Sequence, residues 1–308
     1  MTSLMIPKEF PCEVQSFGIE GTNVRGRLVR LGKTYEEILK NHKYPIQVAE
    51  LIGELTVMTI ALADSLKYEG QFILQTQSDG PINMMVSNVT SGGKVRSFAK
   101  HKIKSIDNMI NQNSVPYLLG SGHIAFTVDQ GVNTERYQGI AALEGLNLAD
   151  CAQNYFEKSE QIETSILLAA SPNKNIAGGL MIQKMPISEK ITNAASVESL
   201  EKYNNDWRNA VIIMASLATE ELLDKNLDSC ELLYRLYNEK GVRIYEAKPL
   251  EFKCQCSRKK IGATLASFPI KEIESMKTES GIITADCEFC GTQYIFDDEL
   301  LRNIRNNK

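Results

Sequence analysis

Residues 71–100 read QFILQTQSDGPINMMVSNVTSGGKVRSFAK: three strand-like runs (71–77, 82–89 and 94–100) parted by two turn-forming clusters, Ser78-Asp79-Gly80-Pro81 and Ser91-Gly92-Gly93. Connections this short force antiparallel neighbours, because a parallel crossover needs roughly a dozen residues or more. On the N-terminal side, residues 24–31 read as a further strand. Residues 45–67 read as a helix with Pro45 at its first position, followed by an Ala/Leu/Ile-rich stretch. On the C-terminal side, a strand at 123–128 precedes a polar helix at 148–158. The runs 164–170 and 178–184, joined across Ser171-Pro172-Asn173-Lys174-Asn175, read as another hairpin. The expected class is therefore α+β, an N-terminal antiparallel sheet with packed helices rather than a doubly wound fold.

Beyond Met185-Pro186 the composition shifts. Residues 187–245 carry helical patterning: Leu200, Tyr203, Trp207, Ala210, Val211 and Met214 recur at spacings of three and four, and Leu232, Leu233, Leu236 and Tyr237 repeat the pattern on a shorter helix that Gly241 ends. Such a stripe is either fixed core packing or a face that docks reversibly. A cysteine-rich terminal segment starts near Glu246. The expected organisation is residues 1–186 as an α+β core, 187–245 as a helical linker and 246–308 as a small terminal domain.

With 38 acids against 34 bases the formal net charge is −4, which argues against broad nucleic-acid or anionic-membrane binding. The longest apolar runs, such as 57–63 and 211–215, fall short of the ~20 residues that span a bilayer. The opening MTSLMIPKEFP has no signal-peptide core, so a cytoplasmic chain is expected.

Several motifs fail on context. Gly120-Ser121-Gly122-His123-Ile124-Ala125 spells a dinucleotide fingerprint, but the following Phe126-Thr127-Val128 favours a strand where that motif needs a helix. Gly93-Lys94 is followed by Val95, so no Walker phosphate loop forms there. His42, His101 and His123 show no metal-like spacing, and Ser121 does not sit in a hydrolase elbow. No catalytic constellation emerges, and neither nucleotide-driven nor hydrolytic chemistry is expected.

The thiols are more informative. Cys12, Cys151 and Cys230 are scattered and are expected to be mainly packing residues. Cys254-Gln255-Cys256 and Cys287-Glu288-Phe289-Cys290 form two arms that together supply four thiolates, the donor set of a closed zinc site. One zinc ion per reduced chain is expected on Cys254, Cys256, Cys287 and Cys290. Each arm is short enough to close on itself once the metal has gone, and so small a segment holds little core without it. A nucleic-acid ribbon is the rival. From Glu251 onward, however, nine bases meet nine acids, and four thiolates with one zinc ion add −2, the wrong sign for gripping phosphates. An enzyme with a structural zinc remains a second alternative.

Phe252-Lys253-Cys254-Gln255-Cys256-Ser257-Arg258, Cys287-Glu288-Phe289-Cys290 and Tyr294-Ile295-Phe296 resemble the zinc signature of the redox-regulated heat-shock-protein-33 chaperones. Arg25-Gly26-Arg27, Asp79-Gly80-Pro81, Val95-Arg96, Tyr155-Phe156 and Gly178-Gly179-Leu180 follow that family in order, with Ser78 and Ser97 where glycines are expected. The resemblance implies an ATP-independent holdase rather than an enzyme: a substrate-binding core, a linker and a zinc switch. It implies that the reduced zinc form is inactive. Oxidation would pair Cys254 with Cys256 and Cys287 with Cys290, release zinc and expose surface for unfolded client proteins. Active chains are expected to form homodimers, without nucleotide, nucleic acid or membrane partners.

Overall fold

In the computed structural model, which describes residues 9–102, 115–131, 136–186 and 197–306, the run 71–100 folds as an antiparallel meander. Its strands are β3 (Gln71–Ser78), β4 (Ile82–Thr90) and β5 (Lys94–His101), with Gln71 opposite Thr90 and Ile82 opposite His101. Gly93 makes the second turn at φ +78°, and a Cβ there would stand 2.3 Å from the Pro249 carbonyl oxygen. The free side of β3 takes β6 (Gly122–Asp129), which in turn takes β7 (Tyr137–Ala142). The glycine-rich stretch at 120–125 is a turn entering β6, as its β-prone sequel requires. Asp79 clamps it, its Oδ1 accepting from the Ser121 N–H at 2.8 Å.

Where one N-terminal antiparallel sheet was expected, the described residues up to Phe252 build two, of six strands each. In the second, β1 (Cys12–Ile19) and β2 (Val24–Leu31) pair with the hairpin of β8 (Thr164–Ser171) and β9 (Ile176–Lys184), β2 lying beside β9. Three short strands complete the edges. β10 (Val242–Ile244) and β11 (Lys248–Pro249) both pair with β1, and β12 (Glu251–Phe252) runs parallel to β5 in the meander sheet. Residues 242–252 therefore stitch one sheet to the other. Lys248 Nζ donates to Asp64 Oδ1 at 2.6 Å, and the same buried carboxylate accepts from Ser16 Oγ at 2.6 Å.

Helix α1 (Lys33–Lys40) precedes α2 (Ile46–Ser65), which packs against strands of both sheets. Pro45 occupies the cap position, extended at ψ 153°, one residue before the helical position expected for it. By length and composition α2 is apolar enough to cross a bilayer, contrary to the impression left by its short uninterrupted runs. Yet 78% of its most apolar window lies inside the protein. Gly53 and Gly179 permit the close approach: a Cβ on Gly179 would meet Val57 Cγ1 at 2.6 Å, and one on Gly53 would meet Ala170 Cβ at 2.8 Å. The resulting core unites Leu55, Met58, Leu62, Leu74, Met85 and Val29. Helix α3 (Leu148–Tyr155) joins it and runs on into a π-helical turn, Phe156–Glu160.

The patterned helices after residue 196 are α4 (Val197–Ala215) and α5 (Ser229–Tyr237). Their stripe is covered: Trp207, Ala210, Met214, Leu232, Leu233 and Tyr237 pack on Phe17, Leu28, Leu180 and Ile182 of the second sheet. Tyr203 and Val211 are half-buried. Arg30 of β2 is fully buried beneath the segment that joins the helices, its guanidinium donating to the carbonyls of Leu222, Asp224 and Leu227, with the Phe10 ring 4.5 Å from Cζ.

The chain divides into two compact units, Met1–Phe252 and Lys253–Lys308. The second contains α6 (Arg258–Leu265), α7 (Ile270–Ser275), the hairpin of β13 (Ile283–Asp286) and β14 (Gln293–Phe296), and α8 (Asp298–Asn306). Its buried apolar core is Leu265, Ile273, Ile283, Phe296 and Leu301.

Candidate metal centre

The two cysteine arms arise from different local structures. Cys254-Gln255-Cys256 is irregular chain that ends where Ser257 caps α6, its Oγ accepting from the Lys260 N–H at 3.2 Å. Cys287–Cys290 forms the tip between β13 and β14. The Cys287 carbonyl accepts from Cys290 N–H at 3.2 Å and from Gly291 N–H at 2.8 Å, and Gly291 adopts φ +66° to turn the chain back. This tight knuckle aims both of its thiols the same way.

The four sulfurs meet. All lie within 4.8 Å of one another, with Cys254 Sγ 3.6 Å from Cys287 Sγ and Cys256 Sγ 3.4 Å from Cys290 Sγ. A tetrahedral ion with bonds near 2.3 Å needs sulfur–sulfur edges of about 3.8 Å, which lies within the range these sulfurs span, so shifts of about an ångström would seat a zinc ion. Cys287 is buried and the other three are half-buried. Crowded thiols at such a site resist joint ionisation. Burial pushes Cys256 up to about 12, against the pull of the Tyr294 hydroxyl, and burial also raises Cys287. Cys290 moves the other way, to about 7, because the Thr292 hydroxyl and backbone N–H outweigh its burial. A cation among the sulfurs would favour their thiolate forms. Among the described residues no histidine or carboxylate joins the group.

The model of the Hsp33 protein family matches residues 13–297. The chain belongs to the Hsp33 family. The 33 kDa chaperonin of Nitrosococcus oceani is 38% identical over 91% of this chain and 90% of its own length. That of Photorhabdus laumondii is 36% identical over 96% and 97%. The crystal structure of the 33 kDa chaperonin from Thermotoga maritima, 22% identical, superposes with a TM-score of 0.75 over 96% of this chain and 98% of its own. Its fold is the same mixed α+β arrangement. These Hsp33 relatives are named as chaperonins, not as enzymes.

Both serines that replace expected Hsp33 glycines are engaged. Ser78 Oγ donates to the Ile82 carbonyl at 2.8 Å. Ser97 lies in a buried hydroxyl chain, accepting from Thr56 at 2.8 Å and donating to Ser87 at 2.9 Å. His42 stacks on Tyr44, whose ring meets His101 edge-on, so these histidines belong to an aromatic cluster. The remaining cysteines divide. Cys151 is a core residue whose burial pushes its thiol up to about 11, and Cys12 is half-buried with its sulfur 3.4 Å from the Thr34 N–H. Cys230 corrects the packing expectation: the first turn of α5 faces its thiol to solvent. A Cys12→Ser/Cys151→Ala/Cys230→Ser variant is expected to retain its bound metal and its response to oxidant, read by metal analysis and chelator-detected release. Loss of the response in a folded, metal-loaded variant would place one of the three in the switch.

Sequence reasoning singled out the four sulfurs that the structure brings together, because each pair is local in sequence. It assigned no role to Tyr294, Thr292 or Arg30, whose partners lie two to nearly two hundred positions away.

Proposed function

We propose that this Hsp33 chain is a redox-regulated, ATP-independent holdase, active when oxidised and quiescent when reduced and zinc-bound. The carrying observation is the four-sulfur group: it gathers both arms of a terminal unit whose buried apolar core, among the described residues, is small. Bound zinc would keep Cys254, Cys256, Cys287 and Cys290 deprotonated and staple that unit together. Thiolates are the form that oxidants attack. Hydrogen peroxide that closes one arm takes two electrons from its two sulfurs and, with two protons, leaves as two waters. Cys254–Cys256 and Cys287–Cys290 disulfides then have no charge with which to ligate.

Loss of the staple would unfold the terminal unit and loosen the segment before it. The apolar faces of α4 and α5, and the sheet beneath Trp207 and Met214, would then become accessible to unfolded clients, each Å² worth roughly 25 cal/mol on burial. The exposed apolar faces give a second copy somewhere to dock, hence a homodimer in the active form. Nucleotide, nucleic acid and membrane play no part in this scheme. A reducing cytoplasm suits the resting state.

The test is light scattering of a thermally unfolding client without ATP, alongside zinc content. Oxidised, zinc-free protein should suppress aggregation strongly and reduced, zinc-loaded protein poorly. If scattering with the oxidised form equals that with the reduced form, the holdase reading is lost.

A further inference from the structure

Tyr294 on β14 is half-buried beside the thiols, and its hydroxyl donates to Cys256 Sγ at 3.1 Å. The hydrogen bond crosses between arms: the phenol belongs to the hairpin that carries Cys287 and Cys290, while the sulfur it holds belongs to the Cys-x-Cys arm. The sulfurs of the hairpin arm are served locally, Cys290 by Thr292, whose Oγ1 lies 3.2 Å away, and Cys287 by the backbone N–H groups of Phe289 and Cys290.

We propose that Tyr294 restrains Cys256 against oxidation, so that the Cys254/Cys256 arm closes more slowly than its exposure alone would dictate. A thiolate attacks through a sulfur lone pair. A donor already bonded to that sulfur stabilises the anion, and the bond must weaken as negative charge leaves the sulfur in the transition state. With hydrogen peroxide as oxidant, Cys256 sulfur attacks one peroxide oxygen, the O–O bond breaks, and a sulfenic acid and water result after proton uptake. Cys254 sulfur then displaces the sulfenic oxygen as a second water, forming the S–S bond. Two electrons pass from the two sulfurs to the peroxide. Tyr294 acts on the first of these steps. The inference rests on the proposed oxidation switch.

The experiment follows each arm separately. Reduced, zinc-loaded full-length protein is treated with hydrogen peroxide, quenched with an alkylating agent at intervals, and digested. The Cys254/Cys256 and Cys287/Cys290 peptides are then quantified by mass spectrometry. Tyr294→Phe keeps the ring and removes only the hydroxyl. It should close the Cys254–Cys256 disulfide about tenfold faster, in keeping with loss of a hydrogen bond to a charged group, while the chain still binds one zinc ion and the rate of the other arm stays unchanged. Thr292→Val should have the converse selectivity and accelerate the Cys287/Cys290 arm. Equal acceleration of both arms in Tyr294→Phe together with weakened zinc binding would make Tyr294 a purely structural residue and overturn the proposal, as would unchanged rates in both arms. Failure of the unsubstituted protein to hold zinc or to form either disulfide would instead defeat the switch itself, and this inference with it.

Discussion

A Cys254→Ser/Cys287→Ser chain should lose essentially all tightly bound zinc and, with it, the fold of residues 253–308. One sulfur is removed from each arm, and the two removed are a contacting pair 3.6 Å apart, so the remaining thiols cannot enclose an ion. Zinc contributes on the order of 10–16 kcal/mol to the folding of small domains, far more than the burial of Leu265, Ile273, Ile283, Phe296 and Leu301 can replace. Metal analysis should fall from one zinc per chain to a trace. Hydrogen exchange should become fast throughout the terminal unit while α2 and the strands around it keep their protection. Tight zinc retained by this variant would remove Cys254, Cys256, Cys287 and Cys290 from the metal assignment.

The second large effect is expected at Arg30. Arg30→Met keeps the apolar stem of the side chain but withdraws the donors from three buried carbonyls, those of Leu222, Asp224 and Leu227. Unpaired buried acceptors cost about 1–3 kcal/mol each, and partial rehydration leaves an expected loss on the order of 3 kcal/mol for the docking of this segment. The chain contains a single tryptophan, Trp207, which is 8% exposed on α4, so its emission reports that docking directly. Reduced Arg30→Met protein should show red-shifted emission and faster exchange over α4 and α5 with its zinc intact, together with partial suppression of client aggregation before any oxidant is added. Emission and exchange identical to the unsubstituted protein would mean that the apolar stripe alone holds the helices down.

Arg30 also illustrates what the sequence conceals. Within VRGRLVRL it occupies a position that reads as an ordinary charged residue in a half-exposed strand; it is buried only because a segment nearly two hundred positions later lies across it. The same holds for the sheets. The meander was legible because its turns are local and chemically distinctive. That β2 would pair with β9, or β5 with β12, depends on partners far apart in the chain, and nothing in a local pattern announces them. β1 escaped notice because its apolar alternation changes phase at Ser16, from Cys12 and Val14 to Phe17 and Ile19, and because polar Gln15 is buried with its amide donating to the Tyr245 carbonyl. The metal group lies at the opposite extreme. Its thiols come as two short pairs whose spacing does not depend on tertiary structure, whereas only the fold brings the Tyr294 hydroxyl to Cys256.

The placement of α2 between two sheets also sets a schedule for synthesis. Translation produces this twenty-residue apolar segment early, whereas β9, which covers one side of it, ends at Lys184. At about 5–20 residues per second, the stretch from residue 66 to 184 takes roughly 6–24 seconds to make. Throughout that interval the nascent chain carries an apolar segment without the strand that covers one side of it in the finished fold. Mutations that slow the β8–β9 hairpin from closing would therefore lower the yield of native protein from ribosomes before they measurably change the stability of the finished molecule. A chain proposed to shelter others begins its existence as a polypeptide in need of shelter.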